Sequence, residues 1–446
     1  MFITDAQTLN DIGIFSKSSG IYALYSRTIT RGGERVLEEM LCYPLSDVEK
    51  INQRTGIIQN FSSKGIEFPF NREFFDAIEQ YLSERDERTR LIAQQRSLSQ
   101  KLSGLIAKDV QFKNIVKGIN TLTELLFQLK LFVHSEAAVH NQDYAEERER
   151  INTLLSEPAF APILSGHSKK LSQEQLVTYD SILRFRHHTE VRELLQFVYN
   201  LDAYISIGQT ARECGFCFAI AADNTTDTSV LHLEYVWHPI VMNAIGNDII
   251  IDSEKNVVFL TGANMAGKST FMKSVSIAVY LAHCGFPVAA KAMRFTIMDG
   301  MFSTINLPDN LGMGASHFYA EVLRVKKIAQ ELHAGKRLFV LFDEMFRGTN
   351  VKDAGEATIT IVEGFAKKTN SLFIISTHII EAGDVLRQKT DNIQYCFLPT
   401  TMQGHKPVYT YKLEHGITAD RHGMIIIRNE GILEMLEKNV VNKNIH

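Results

Sequence analysis

Residues 261–270 read Thr261-Gly262-Ala263-Asn264-Met265-Ala266-Gly267-Lys268-Ser269-Thr270. The interval from Gly262 to Ser269 has the spacing G-x-x-x-x-G-K-[ST] of a loop that cradles phosphate. Glycines let the backbone N–H groups turn inward, and the helix that follows aims the positive end of its dipole at the anion. On this reading Lys268 reaches the β/γ-phosphates and Ser269 offers its hydroxyl to Mg²⁺. The flanks agree: Val257-Val258-Phe259-Leu260 is an apolar, β-prone run, and Phe271 to Ala282 is helix-compatible. The segment therefore predicts strand, loop and helix, with ATP and Mg²⁺ held by Gly262, Ala263, Asn264, Met265, Ala266, Gly267, Lys268, Ser269 and Thr270.

Further along, short apolar runs alternate with helical ones. Leu338 to Phe342 and Leu372 to Ser376 enclose a helical stretch from Ala354 to Lys367. Strands that are apolar throughout, rather than at alternate positions, are those covered on both faces, as in a parallel sheet flanked by helices. The first of these runs ends in Asp343-Glu344, the arrangement called Walker B. Asp343 is the candidate holder of Mg²⁺, and Glu344 is the candidate base that orients or deprotonates an attacking water. An apolar strand ending in two acids is common by itself; the phosphate loop upstream gives this one its meaning. The second run ends in Ser376-Thr377-His378, which puts His378 at a strand end where it can sense a γ-phosphate. Val408 to Leu413 and Met424 to Ile427 read as closing strands, followed by a short helical tail.

Upstream of about Tyr235 the composition changes. Arg72 to Ile106, Phe112 to His134, Tyr144 to Leu155 and Glu190 to Cys214 carry apolar residues at helical spacing with few glycines or prolines, which predicts long helices. The broad apolar surface around Leu126, Leu129 and Phe132 reads as helix-to-helix packing. Residues 1–235 hold 25 Lys and Arg against 31 Asp and Glu, and residues 236–446 hold 22 against 20. Neither half has the strongly basic footprint of a dedicated duplex binder. The basic clusters Arg184-Phe185-Arg186-His187-His188 and Lys326-Lys327 read as solvated helix faces or as phosphate contacts. The cysteines are five, few and odd in number, and Cys214-Gly215-Phe216-Cys217, a lone C-x-x-C, reads as buried thiols. The first residues lack a secretory pattern and no run approaches a membrane span, so a cytoplasmic protein without a membrane partner is expected.

Taken together, these motifs resemble the MutS family of mismatch-repair ATPases. The phosphate loop with its Asn264-Met265 pair is similar to that family's, as are Asp343-Glu344-Met345-Phe346-Arg347-Gly348-Thr349 and the Thr377-His378 switch. The segment Asp309 to Glu321 resembles the family's signature loop, which in relatives reaches the nucleotide of the other subunit; Gly314, Ser316 and Glu321 are its candidate residues here. Trp237-His238-Pro239 and Asn247-Asp248 resemble the lead-in strand. More weakly, Tyr43-Pro44-Leu45-Ser46-Asp47 and Asn200-Leu201-Asp202-Ala203-Tyr204-Ile205 resemble the opening and closing of its helical core.

The resemblance implies a multidomain chain: an N-terminal extension (1–36), a mostly α-helical core or lever domain (37–235), and an α/β P-loop, ABC-type ATPase domain (236–446). It implies an ATP hydrolase that switches a DNA-binding homodimer, paired through the ATPase domain, in mismatch repair or recombination. The chain's one Phe-x-Glu is Phe342-Asp343-Glu344, already part of Walker B, so no mismatch-reading wedge is expected. An alternative is an ATP-gated interaction module that acts on branched DNA or a protein partner and reads no mismatch. A transporter ATPase is disfavoured, because Gly312 to Glu321 is not a Leu-Ser-Gly-Gly-Gln signature.

Overall fold

A computed structural model describes residues 2–16, 20–92, 105–165, 171–222, 229–305, 317–346, 349–403, 406–418 and 431–438. The chain divides into two compact units that are not contiguous in sequence: Met1–Leu24, Tyr43–Asn52 and Cys214–His446 form one, Tyr25–Cys42 and Gln53–Glu213 the other.

The first unit is built on sheets. Its strands in chain order are β1 (Ile220–Ala222), β2 (Val230–Val236), β3 (Asn247–Asp252), β4 (Val257–Gly262), β5 (Ala292–Thr296), β6 (Gly300–Thr304), β7 (Leu338–Asp343), β8 (Leu372–Ser376), β9 (Ile393–Leu398), β10 (Thr400–Gln403), β11 (Lys406–Tyr409) and β12 (Glu414–His415). Six of them form one sheet in the order β12-β9-β4-β8-β7-β6, parallel except for β12. Every residue of β4, β7 and β8 is buried, as their uninterrupted apolar sequences require. In the core beside them, Phe365 stacks between Phe342 and Phe373, with ring centroids 6.0 and 4.7 Å away. Full burial of each such ring contributes about 1.5–3 kcal/mol. The other strands form a four-stranded sheet, β1-β5-β2-β3, and the hairpin β10-β11.

In the sheet-bearing unit three outcomes differ from the sequence expectations. The compact units do not follow boundaries at 36 and 235: β2 crosses the second, and the sheet-bearing unit resumes at Cys214. Residues 2–12 pack onto β6. Ile3 bridges Gly300 in parallel, its N–H donating to Asp299 O at 2.8 Å and its carbonyl accepting from Met301 at 2.9 Å. A Cβ on Gly300 would stand 2.5 Å from Ile3 O, so this approach requires glycine. Asp11 accepts from Ser303 Oγ at 2.6 Å and Ile305 N at 2.9 Å, while Asp5 caps the helix Ala6–Asp11 and pairs with Arg324 and with Lys327, the latter at 2.8 Å. Tyr43–Asn52 joins the same unit partly through Leu45 N, which donates to His283 O at 2.7 Å.

The second unit is helical, as expected, with Leu105–Val133 and His188–Cys214 its longest helices. The long helix expected from Arg72 to Ile106 instead stops at Ser83. Glu84 is extended, and Asp86 caps a short turn at Glu87–Thr89. The turn is fastened from the far side by Arg184, which donates to Glu84 O at 3.1 Å, Thr89 Oγ1 at 2.9 Å and Thr89 O at 3.0 Å. Arg184 is therefore not a surface cation. It is fully buried on Asp180, with both carboxylate oxygens engaged at 2.9 and 2.8 Å, and Tyr81 Oη adds a third bond at 2.9 Å. Cys214 and Cys217 are not disulfide-bonded and are half-buried rather than fully buried, and burial pushes the Cys217 thiol up to about 11. The strand expected at Met424 to Ile427 lies outside the described residues.

Candidate functional site

The parallel strands β4, β7 and β8 end side by side. Ser376 is in register with Leu260 on one side and with Asp343 on the other. The carboxyl ends of a parallel sheet form a crevice into which loops and helix N-termini converge. The phosphate loop follows β4 there. Gly262 (φ 144°), Met265 (φ 69°) and Gly267 (φ 101°) take positive φ, and Gly267 leads directly into the helix Lys268–His283. The helix start has no side-chain cap, so its first N–H groups face the loop. Lys268 is 5 % exposed and folds back on the loop, Nζ donating to Gly262 O at 2.8 Å and Ala263 O at 3.2 Å. Its ammonium is thus held at the centre of the cradle.

Asp343 closes the other side. Ser269 Oγ donates to Asp343 Oδ2, and Ser376 Oγ donates to Asp343 Oδ1. Glu344 follows with φ 57°, a left-handed conformation that costs a non-glycine residue on the order of 1 kcal/mol or more. Its N–H is tied to Ser376, to the carbonyl at 3.1 Å and to Oγ at 3.2 Å. Its carboxylate meets His378 Nε2 through Oε1. The expected residues Lys268, Ser269, Asp343, Glu344 and His378 are therefore brought to one crevice. Asp343 and Ser269 present hard oxygen donors side by side. Among the described residues no group of three or more His, Cys, Asp or Glu is arranged to hold a metal unaided. That donor set fits Mg²⁺, which takes one or two protein oxygens and completes its shell with phosphate and water.

Two residues that sequence reasoning passed over also sit here. Ser376 is one; no sequence signal separates it from any serine closing an apolar strand. Tyr411 is the other. Its ring lies over the loop, such that a Cβ on Gly267 would approach Tyr411 Cδ1 to 3.0 Å. Asn247 fixes the segment, donating to Tyr411 O at 3.0 Å and accepting from Leu413 N at 2.7 Å. Tyr411 remains 44 % exposed beside the cradle. His238, just past the end of β2, is held below its ordinary pKa by burial and by the Lys273 charge. Of the signature-loop candidates, Gly314 and Ser316 lie outside the described residues, as do Arg347 and Gly348. Glu321 is buried in the helix His317–His333.

Comparison with known proteins now bears on this arrangement. A family model described as MutS domain V matches residues 258–444, which include the whole crevice, and one described as MutS domain III matches residues 6–208. The chain belongs to the MutS family. Among its relatives, a DNA mismatch repair protein MSH7 from Arabidopsis thaliana is 25 % identical over 438 residues, covering 84 % of this chain and 37 % of that protein. A DNA mismatch repair protein MutS from Desulfovibrio desulfuricans is 27 % identical over 354 residues, covering 75 % of this chain and 37 % of the relative. A MutS from Leuconostoc citreum is 29 % identical over 249 residues, 52 % of this chain and 28 % of its own length. The chain spans about a third of the length of these curated relatives, 37 % of the first two and 28 % of the third. The MutS domain III match starts within the segment that packs on β6 and extends through the helical unit.

Proposed function

We propose that this MutS-family chain is an ATP hydrolase whose sheet-bearing unit binds magnesium-ATP at the β4-β7-β8 crevice and whose helical unit acts as the moving lever of a DNA-binding homodimer in mismatch repair or recombination. The observation that carries the reading is the convergence of Lys268 and Ser269, of Asp343 and Glu344, and of His378 at neighbouring strand ends. In this reading Lys268 exchanges the Gly262 and Ala263 carbonyls for phosphate oxygens, and the loop N–H groups hold the remaining charge. Ser269 and Asp343 would hold Mg²⁺, which would neutralise charge on the bound phosphates. Glu344 receives the proton of the attacking water, and His378 keeps that carboxylate turned toward the γ-phosphate. Tyr411 offers the nucleoside a flat apolar face beside Gly267.

Among the described residues no helix is long and apolar enough to cross a membrane. The proposed partners are DNA and a second copy of the chain, the signature-loop candidates Gly314 and Ser316 being proposed for the second nucleotide and the buried Glu321 for support of that loop. Two experiments test this. Sedimentation with saturating non-hydrolysable ATP analogue is expected to show pairing; a persistent monomer contradicts the dimer. Titration of homoduplex, mismatched and branched DNA across a salt series, with and without nucleotide, is expected to show nucleotide-dependent binding. Binding to none of them in any nucleotide state contradicts a DNA cargo and favours a protein partner for the switch.

A further inference from the structure

Ser376 is fully buried at the end of Leu372-Phe373-Ile374-Ile375, a strand otherwise wholly apolar. A buried hydroxyl in that setting requires partners, and its bonding capacity is small: one proton to give and two lone pairs to accept with. The proton goes to Asp343 Oδ1 and a lone pair takes the N–H of Glu344 at 3.2 Å, while the Ser376 carbonyl accepts the same N–H at 3.1 Å. One side chain thus joins the carboxylate of Asp343 to the backbone of the next residue. That next residue is the one with positive φ. Left-handed backbone at a non-glycine persists only where its surroundings fix it, and the paired bonds from Ser376 supply that restraint.

The two hydroxyls on Asp343 are not equivalent. Ser269 sits on Oδ2 and Ser376 on Oδ1, and together they fix the plane of the carboxylate. Ser269 would ligate Mg²⁺ through a lone pair of the same oxygen that donates to Asp343, so the geometry of that bond would change with metal binding. Ser376 lies in the sheet, between β4 and β7, and its bond is independent of the nucleotide. His378, two residues further along, meets the Glu344 carboxylate. The end of β8 therefore steadies both acids, Asp343 through Ser376 and Glu344 through His378.

We infer that Ser376 is a positioning residue for the hydrolysis proposed above: its hydroxyl holds Asp343 toward the metal and Glu344 toward the water, without itself touching either. This rests on the ATPase reading, and the test separates the two. Full-length wild type, Ser376→Ala and Ser376→Thr are titrated with a non-hydrolysable ATP analogue, in EDTA and at increasing Mg²⁺, and their turnover is measured. For Ser376→Ala the affinity in EDTA is expected to match the wild type, while the Mg²⁺ concentration that half-maximally tightens binding rises about tenfold, the scale of one hydrogen bond to a charged group. The kcat is expected to fall about tenfold with KM for ATP little changed at saturating Mg²⁺, because the lost contact serves the transition state. Ser376→Thr, which keeps the hydroxyl, is expected to restore both. Should Ser376→Ala fail to fold, Ser376→Cys, nearly isosteric with a weaker donor, carries the same test and is expected to shift the Mg²⁺ dependence in the same direction. Wild-type Mg²⁺ dependence and turnover in a folded Ala or Cys variant overturn the inference alone. A wild-type chain with no magnesium-dependent nucleotide binding overturns the ATPase reading, and this inference with it.

Discussion

Two aspartates, one in each unit, show how differently a buried carboxylate can be satisfied. In the helical unit Asp180 is paired with Arg184, a fixed cation, both fully buried, with Tyr81 adding a neutral donor. In the sheet-bearing unit Asp343 is almost as buried, but the groups on its two oxygens are the neutral hydroxyls of Ser269 and Ser376. A guanidinium cancels the charge of its partner and locks the local structure. Hydroxyls orient a carboxylate and leave its charge available to a cation from solution. The same residue type is a structural lock in one place and a candidate ligand in the other, and the difference lies in its neighbours.

The largest effect is expected from breaking the lock. Arg184→Ala leaves Asp180 buried without its countercharge and unfastens the turn at Thr89, a loss of about 3–5 kcal/mol in urea unfolding. Replacing Asp180 and Arg184 together by apolar residues of similar volume is expected to cost much less; an equal cost would show that the hydrogen bonds to Glu84 and Thr89, rather than the charge, carry the stability. Glu344→Gln probes the other side of the contrast. It is expected to keep ATP binding and urea stability while lowering turnover roughly 10²-fold or more in a steady-state phosphate-release assay. Normal turnover would remove Glu344 from the chemistry.

A smaller effect tests a lock on the sheet side. Burial alone would raise the Asp5 carboxyl, but bonds from Arg324 and Lys327, with the Thr8 N–H, outweigh it and hold Asp5 well below the usual carboxylate range. A lowered folded pKa means stability that is present above about pH 4 and lost as pH falls toward the folded value. Asp5→Asn is expected to destabilise the wild type by about 1–2 kcal/mol at neutral pH, allowing for the partial exposure of Asp5, and to flatten the acid-side loss. In the helical unit the sign reverses. Burial raises the Asp202 carboxyl despite its bonds from Ile29 and Thr30, and burial likewise raises Glu147. Their contribution is greatest below the unfolded pKa and declines as pH rises through the folded one. Unfolding followed separately by probes in each unit is expected to show opposite pH slopes from these groups, the smallest of the effects. Parallel slopes would mean that other titrating groups dominate.

The phosphate loop and both acids were legible because their chemistry is local. Ten consecutive residues spell out strand, loop and helix, and Asp343-Glu344 closes a run that only a doubly covered strand tolerates. His378 was legible only because the strand before it was. What escaped depends on register or on distant contacts. Ser376 acquires its role from lying opposite Asp343 across a sheet, and Tyr411 reaches the loop through a segment more than a hundred residues away in the chain. Residues 2–12 read as an extension because their partners, Gly300, Ser303 and Arg324, lie in the second half of the sequence. Arg184 read as part of a basic surface cluster, since nothing local reveals that the helix turns its guanidinium inward onto Asp180. Hydrophobic periodicity ran through the break after Ser83 for a related reason: the turn is held by hydrogen bonds to that same arginine, not by a glycine or proline.

The central claim is that nucleotide is held at the crevice by Lys268 on one side and by the hydroxyl-bound Asp343 on the other. The most direct check is a calorimetric titration of wild type and Lys268→Ala with magnesium-ATP. Binding by the wild type, weakened at least about tenfold in the variant, is the expected result; equal affinity in the two, or none in the wild type, would contradict the account.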